Sequence, residues 1–249
     1  MPELTSLTWA VPILLAAYFI RGITGFGSGL IAVPMLALNL PLTFVVPLIL
    51  LTDFTASLIL GGLHFDKVAW PEIRRLLPAG LLGVALGAYL LVSLPAGPML
   101  IGLGAFVILY ALRNLLLDTD HPQPVSPRWA WPAGLTGGAI GALFGTGGPP
   151  YVIYLSHRLF DKGVLRATFS GLFFIEGLAR ITTFAVSGLL LHRELLSAYL
   201  AAVPITLGAL WVGSHVHTRL TQAQMLRLIS LILLGSGVAL WFKALSGIA

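Results

Sequence analysis

The chain has 249 residues, of which only 14 are Lys or Arg and 9 are Asp or Glu, while 57% are hydrophobic, and its mean hydropathy is +0.96. Because an ordinary soluble domain carries about a quarter charged residues, so few charges could not cover the surface of a soluble body of this size, which excludes a soluble enzyme, a disordered chain and a coiled coil. The net charge of +5 comes from basic residues in short loops between apolar segments, where they orient a membrane protein rather than bind nucleic acid.

Apolar segments recur from one end of the chain to the other. Most are about 20 residues long, which is the length of a helix that crosses the ~30 Å hydrocarbon core of a bilayer. The sequence therefore predicts an all-α polytopic membrane protein, since helices satisfy their own backbone hydrogen bonds in lipid. The eight predicted segments are Trp9–Leu38, Leu42–Leu63, Leu76–Leu94, Met99–Leu117, Trp129–Leu155, Leu165–Leu190, Leu195–His215 and Met225–Leu245.

The first and fifth segments are interrupted by glycine-rich runs, Arg21–Gly29 and Gly141–Pro150. Each glycine destabilises a continuous helix by about 1 kcal/mol relative to alanine, and the adjacent Pro149 and Pro150 remove two backbone donors. Both runs therefore predict a break of the helix inside the membrane.

The two breaks lie at matching places in two halves of the chain, because Phe26–Gly29 aligns with Phe144–Gly147. We predict an N-terminal transmembrane repeat over residues 1–118 and a C-terminal transmembrane repeat over residues 128–249. The polar, proline-rich stretch 119–127 has the composition of a linker between them.

The basic residues favour one topology over another. If each broken segment crosses the membrane, Lys and Arg divide seven to five across the two faces; if each returns to its own side as a re-entrant hairpin, they divide ten to two, which is a strong positive-inside bias. The first arm, Trp9–Ile20, has 12 residues and at about 1.5 Å per residue is also too short to cross. We favour the hairpins, with both termini outside, and keep eight crossings with two kinked helices as the alternative.

In the hairpin topology each repeat has three crossings and one hairpin, so the repeats are inverted. The glycine tips of the two hairpins then meet near the midplane, which is the layout of a secondary transporter with a central site.

The two glycine motifs resemble those of the TauE/SafE family of membrane transporters. The residues that carry the resemblance are Gly25–Pro34, Gly141–Pro150 and the opening Leu165–Phe169 of the sixth segment. The resemblance covers essentially the whole chain and implies two related halves, eight apolar segments and export of sulfite or organosulfonates. The chain departs from the family pattern at Leu30, where a third consecutive glycine is common, and at the Pro149-Pro150 pair.

The breaks have the chemistry of an anion site. A half-helix that begins inside the membrane points free N–H groups and a positive dipole end into the site, and glycine lets an anion approach the backbone. Ser28 and Thr146 lie where a hydroxyl could cap the outgoing half-helix or donate to an oxyanion. The alternative is that the glycines only allow close helix packing; two motifs at equivalent positions favour a site.

Four ionisable residues lie inside apolar segments, where each is costly unless paired or hydrated. Arg21 could attract an anion or cap the carbonyl end of the preceding helix. Asp53 could carry a coupling proton or pair with an arginine. Glu176 and Arg180 are four apart and share a helix face, so an ion pair between them is favoured for Glu176, while the guanidinium of Arg180 suits a sulfonate or sulfite.

The sequence thus predicts a secondary transporter, and an exporter, of a small sulfur-containing anion in the plasma membrane. The rivals are a transporter of another small anion such as a carboxylate, and a passive anion channel; an intramembrane enzyme is disfavoured because no catalytic constellation is present. The expected partners are the anion and the lipid bilayer, with a homodimer left open and nucleic acid not expected.

No cofactor or metal is predicted, since the chain has no cysteine and His215 and His217, two apart, do not share a helix face. Asp53 and Glu176 are the candidates for proton coupling. The candidate substrate-binding residues are Arg21, Thr24, Gly27, Ser28, Gly29, Gly145, Thr146, Gly147, Gly148 and Arg180.

Overall fold

The computed structural model describes residues 4–24, 27–60, 65–116, 124–216 and 222–246. Over these residues the chain is helical and has no strand, which confirms the predicted all-α class. The described ranges leave out residues 119–123 of the predicted linker, Gly25 and Phe26 of the first motif, and His217.

Within these ranges ten α-helices follow in order, joined by turns and by two short 3-10 helices at Phe65–Lys67 and Pro127–Trp129. They are α1 (Leu4–Thr24), α2 (Ser28–Leu36), α3 (Leu42–Leu60), α4 (Trp70–Ser93), α5 (Ala96–Leu116), α6 (Ala130–Phe144), α7 (Gly148–Ser156), α8 (Lys162–Val186), α9 (Arg193–His215) and α10 (Gln222–Leu245).

In the described part of the chain, five helices, or long parts of them, are long and apolar enough to cross a membrane, so the chain is a multi-pass membrane protein. These five are Trp70–Ser93, Ala96–Leu116, Gly163–Val186, Arg193–His215 and Arg227–Leu245, and α1 and α3 contain the shorter apolar stretches Trp9–Ile23 and Leu42–Leu58.

Both predicted helix breaks are present, and each turns through a glycine with left-handed backbone. Gly27 has φ 96° between α1 and α2, and Gly145 has φ 65° between α6 and α7. Other residues rarely adopt this conformation because a Cβ would approach the following carbonyl. The short helices α2 and α7 have 9 residues each, which at about 1.5 Å per residue cannot span the hydrocarbon core.

Helix α7 folds back along α6 as a hairpin. Near the turn, Gly147 lies against the backbone of Gly141, and further along the Tyr151 hydroxyl donates to the Gly134 carbonyl at 3.2 Å. The chain before α6 also meets the chain after α7, where Val125 N–H donates to the His157 carbonyl at 3.4 Å. The start of α6 and the end of α7 therefore lie at the same end of the helix bundle.

The first arm is longer than predicted. Helix α1 runs for 21 residues, Leu4–Thr24, about 31 Å at 1.5 Å per residue, instead of the 12 residues assigned to Trp9–Ile20. The helix continues through polar residues at its N-terminus that a search for apolar runs leaves out. Length alone therefore does not stop α1 from crossing, and that part of the argument for a first hairpin was wrong.

The arms of each half pack against a long helix of the other half. Helix α6 lies on α4, and α1 lies on α9. On α4, Gly83 lies against the backbone of Leu135, and on α9, Gly213 lies against the backbone of Phe19. In a bilayer, such small residues let helix backbones approach closely. Helices α6 and α1 are therefore packed tightly against α4 and α9.

Helices α5 and α10 pack against each other and run in opposite directions. The Trp241 indole N–H donates to the carbonyl of Ile101 at 3.0 Å, near the start of α5 and the end of α10. Further along α5, Val107 lies beside Gly237, which precedes Trp241 on α10. Residue numbers thus rise on one helix as they fall on the other.

Candidate functional site

The two breaks meet at a cavity of about 90 Å³ in the interior of the helix bundle. Gly29, in the first turn of α2, lies directly against the carbonyl oxygen of Gly145 in the second break. The cavity lies around this contact and is lined by Arg21, Gly27, Ser28, Gly29, Leu30, Leu50, Asp53, Phe54, Ser57, Gly145, Thr146, Gly147, Gly148, Phe173, Gly177 and Arg180.

Every predicted substrate-binding residue except Thr24 lines this cavity, and so does Asp53. Thr24 is the last residue of α1, and its side chain lies outside the described part of the chain. Glu176 does not line the cavity but lies one residue before Gly177, which does. The structure thus brings the candidates of both halves together; their role in binding stays a prediction.

Some cavity residues were not singled out from the sequence. Ser57 lies one helical turn after Asp53, a spacing that could have indicated it. Phe54 and Phe173 carry no such signal, because a phenylalanine in an apolar helix is typical of any membrane protein. Phe54 stacks on Phe174 with ring centroids 5.5 Å apart, which joins α3 to α8 beside the cavity.

At the first break, Arg21 and Asp53 form an ion pair inside the membrane. Arg21 Nη1 lies 2.5 Å from Asp53 Oδ1, and Arg21 Nη2 donates to Ser57 Oγ at 2.7 Å. The same Asp53 oxygen accepts from Ser28 Oγ at 2.8 Å and from the buried hydroxyl of Tyr18 at 2.5 Å. Of the two roles left open for Asp53, the arrangement is that of a partner to an arginine.

Arg21 therefore does not cap the preceding helix, and its charge is balanced by Asp53. The physical reason is that Arg21 reaches the Asp53 carboxylate and the Ser57 hydroxyl on α3. It also donates to the Ser28 hydroxyl on α2, and hydrogen bonds to a carboxylate are stronger than those to helix carbonyls.

At the second break, Arg180 contributes a positive charge that no carboxylate balances within 4 Å among the described residues. Its Nη1 donates to the Gly141 carbonyl at 3.0 Å, near the end of α6. Its Nε is buried and has no hydrogen-bond partner. Thr146 Oγ1 is also buried without a partner, and because the residue is only 3% exposed, bulk water does not reach it. Buried polar groups without partners are rare, and these two lie at the same cavity.

Two local predictions at the breaks were wrong. Glu176 and Arg180 do not pair, because the Glu176 carboxyl group is hydrogen-bonded to the Tyr151 hydroxyl on α7 while Arg180 extends toward α6. Ser28 and Thr146 do not cap their half-helices: the N-cap positions are Gly27 and Gly147, without side-chain capping bonds.

The glycines of the breaks fall into two groups. A Cβ on Gly29 or Gly147 would collide with the backbone of the other elements at the break, so these two serve close packing. At Gly148 a Cβ would meet only the ring of Phe173 at 3.7 Å, and at Gly27 it would meet nothing within 4 Å. Both interpretations of the glycines therefore apply, each to different residues, and Gly27 and Gly148 are the ones that leave space in the cavity.

Together these groups can hold an oxyanion. The first turn of α2 leaves backbone N–H groups without intrahelical partners, and the start of α7 leaves that of Gly148, since Pro149 and Pro150 have none. Both helices present positive dipole ends. Arg180 and Thr146 add a charged donor and a hydroxyl. Within the described ranges no group of three or more His, Asp or Glu side chains could hold a metal ion.

Comparison with known proteins gives two matches. The family model described as "Sulfite exporter TauE/SafE" matches residues 10–240. The chain is also similar to the "Probable inner membrane transporter protein TsaS" of Comamonas testosteroni, with 28% identity over 199 residues that cover 78% of this chain and 81% of that protein. No solved structure matches the chain.

Proposed function

This chain belongs to the TauE/SafE sulfite exporter family and is a membrane transporter, and from that premise we propose that it exports small sulfur-containing anions, such as sulfite or organosulfonates, across the inner membrane. The observation that carries the proposal is the cavity between the two breaks, where the unpartnered Nε of Arg180 and hydroxyl of Thr146 meet two half-helix N-termini.

The charges around the cavity favour an anion. Arg21 and Asp53 cancel each other at 2.5 Å, so Arg180 supplies the net positive charge of the lining. The half-helix dipoles add partial positive charge at the same place. A guanidinium donates two N–H groups in one plane, which matches two oxygens of a sulfite or a sulfonate.

The size of the cavity favours a compact anion. About 90 Å³ is room for a few water molecules, so a sulfite ion or a sulfonate head group fits the space. The apolar rings of Phe54 and Phe173 form part of the wall and suit a short organic tail on the sulfonate.

We further propose that the two halves are inverted repeats that alternate around this cavity. Helices α5 and α10 hold equivalent places in the two halves and run antiparallel. If α6 and α7 return to their own side, α8 starts on the side where α5 ends. After α8 and α9 have crossed, α10 starts on that same side and therefore runs opposite to α5. If α6 and α7 crossed the membrane together, α5 and α10 would be parallel. The antiparallel pair thus supports an inverted arrangement with a central site.

Binding of the purified protein to five compounds tests the substrate class. We expect sulfite, thiosulfate, sulfoacetate or taurine to raise the temperature of thermal unfolding, because a ligand that binds only the folded state stabilises it. Acetate is the matched control for a carboxylate. Stabilisation by acetate alone would contradict the proposed substrate class.

Flux through proteoliposomes separates a transporter from a channel. If the protein is a transporter, proteoliposomes loaded with unlabelled anion take up labelled anion against its gradient by counterflow, and the rate of uptake saturates with anion concentration. A channel gives neither counterflow nor saturation, and that result would overturn the proposed mechanism.

A further inference from the structure

The two acids inside the membrane, Asp53 and Glu176, have opposite surroundings. Asp53 accepts from an arginine, a serine and a tyrosine and is partly exposed to the cavity. Glu176 is only 2% exposed and has one hydrogen-bond partner, the hydroxyl of Tyr151. Among the described residues no basic side chain lies within 4 Å of Glu176.

An ionised carboxylate is stable in a protein interior only when it is paired and well hydrogen-bonded. Asp53 meets this condition and belongs to the fixed network around Arg21. Glu176 does not meet it, so its burial and the lack of a basic partner favour the protonated form of its carboxyl group.

The hydrogen bonds around Tyr151 fit a protonated Glu176. The Tyr151 oxygen also lies 3.2 Å from the carbonyl of Gly134. A protonated Glu176 donates to the Tyr151 oxygen, and Tyr151 donates its own proton to Gly134. Both protons then have an acceptor. If Glu176 were ionised, the single tyrosine proton would go to the carboxylate, and the Gly134 carbonyl would lose this donor.

Few groups face Glu176 from the surrounding helices. Helix α4 presents Gly80, where a Cβ would lie 2.5 Å from the carboxyl oxygen, so glycine leaves the space that the acid occupies. Helix α7 presents Tyr151, and α6 presents the Gly134 carbonyl through that tyrosine. On its own helix, Arg180 lies one turn away and is directed to Gly141. Tyr151 and Arg180 are thus the titratable or charged groups that act on Glu176.

Glu176 lies directly behind the wall of the cavity. Its neighbour Gly177, and Phe173 and Arg180 about one turn to either side, all line the cavity. Tyr151 is three residues after Gly148, which also lines it. An ionised Glu176 would therefore place a negative charge beside a bound anion, and protonation removes that repulsion.

We propose that Glu176 is the proton carrier of this transporter, so that one proton and the anion occupy the protein together and cross together. The inference rests on the proposed function. The Glu176 carboxyl takes its proton from water on the side where the anion loads and releases it to water on the side where the anion leaves. Cotransport of a monoanion with a proton is electroneutral, so its direction is set by the anion gradient and the pH gradient and does not depend on the membrane potential.

The test measures proton flux and anion exchange in the same proteoliposomes. The probe is methanesulfonate, a monoanion whose conjugate acid is too strong to stay protonated in water. Any cotransported proton must therefore be carried by the protein. A trapped pH dye reports proton movement when methanesulfonate is added, and uptake of labelled methanesulfonate at equal pH on both sides reports exchange.

We expect wild type to show both activities and Glu176→Gln to lose the proton flux while it keeps exchange. The matched control is Glu194→Gln, which neutralises an exposed acid in the first turn of α9 and should keep both. Proton flux retained in Glu176→Gln, or exchange without proton flux in wild type, would overturn the inference and leave the proposed function intact. Absence of exchange in wild type would reject the proposed function and the inference with it.

Infrared spectroscopy gives a second measurement that needs no transport. The C=O stretching band of a protonated carboxylic acid should be present in wild type near pH 7, persist in Asp53→Asn and disappear in Glu176→Gln. If Glu176→Gln fails to insert, a band that persists in Asp53→Asn still supports the inference. Absence of the band in wild type would contradict it.

Discussion

Arg180 donates a hydrogen bond from Nη1 to the carbonyl oxygen of Gly141 at 3.0 Å and leaves its buried Nε without a partner. The same carbonyl accepts the N–H of Gly145 at 3.0 Å, so Arg180 is attached to the end of α6 at the break. One part of the guanidinium thus holds the hairpin, and another part remains available to a ligand in the cavity.

Replacing Arg180 by lysine should weaken anion binding although the charge is kept. A lysine can still reach one acceptor, but it cannot hold Gly141 and present a second planar N–H to the anion. Loss of one charge-assisted hydrogen bond, about 1.5–3 kcal/mol, predicts roughly tenfold to hundredfold weaker binding. Isothermal titration with sulfite measures it, and Arg193→Lys, at an exposed arginine, is the control. Equal affinity of Arg180→Lys and wild type would remove Arg180 from the site.

The Arg21–Asp53 pair should show strong coupling in a double-mutant cycle. Either single change, Arg21→Gln or Asp53→Asn, leaves one charge without its partner, and we expect a loss of about 3 kcal/mol of stability, the low end for buried pairs because Asp53 keeps some exposure. The double variant should recover part of that loss. Thermal unfolding in detergent measures all four proteins.

The matched control for this cycle is Glu176→Gln with Arg180→Gln. These residues are spaced like an ion pair but do not form one, so their coupling should be much smaller than that of Arg21 and Asp53. Additive effects for Arg21 and Asp53 would show that the ion pair does not stabilise the protein.

A methyl group at Gly148 should obstruct the cavity without damage to the fold. In Gly148→Ala the new Cβ would lie 3.7 Å from Phe173, an ordinary contact, and alanine favours the helix by up to about 1 kcal/mol. We expect unchanged or higher stability and weaker sulfite binding. The control Gly235→Ala adds a methyl in open space on α10 and should bind sulfite normally. If both variants bind like wild type, the anion does not occupy the space beside Gly148.

Cysteine labelling tests the second hairpin in the membrane, and it is clean because the chain has no cysteine of its own. Ser126 precedes α6, Phe160 follows α7 and His192 follows α8, and all three are exposed. Cysteines at 126 and 160 should react with an impermeant maleimide from the same side, and a cysteine at 192 from the opposite side. Labelling of 126 and 160 from opposite sides would show that α6 and α7 cross the membrane together.

Local signals in the sequence were enough to find the breaks and the charged residues that line the cavity. Glycine density and the Pro149-Pro150 pair act on the helix where they stand, so the breaks follow from composition alone. Arg21, Asp53 and Arg180 stood out because charge is costly in a membrane, and that argument needs no knowledge of the fold.

The partners of these residues could not be predicted in the same way. Arg21 pairs with Asp53, 32 residues away, and Arg180 bonds to Gly141, 39 residues away. The i,i+4 spacing of Glu176 and Arg180 places them on one face but does not show which residues of other helices lie close to them. Glu176 bonds to Tyr151 instead of Arg180. Tyr151 itself was missed, because a tyrosine in an apolar segment is usually interfacial or part of the core.

The most direct test of the central claim is the response of Thr146→Val to sulfite. Valine has nearly the same shape as threonine and removes a buried hydroxyl that has no partner. Since an unsatisfied buried polar group costs about 1–3 kcal/mol, the ligand-free variant should unfold at a higher temperature than wild type, while its stabilisation by sulfite should be smaller. Ser230→Ala removes another buried, unpartnered hydroxyl, which does not line the cavity; it should also raise the unfolding temperature but keep the full response to sulfite. If Thr146→Val and Ser230→Ala respond to sulfite equally, Thr146 does not contact the anion, and the cavity between the two breaks is not its binding site.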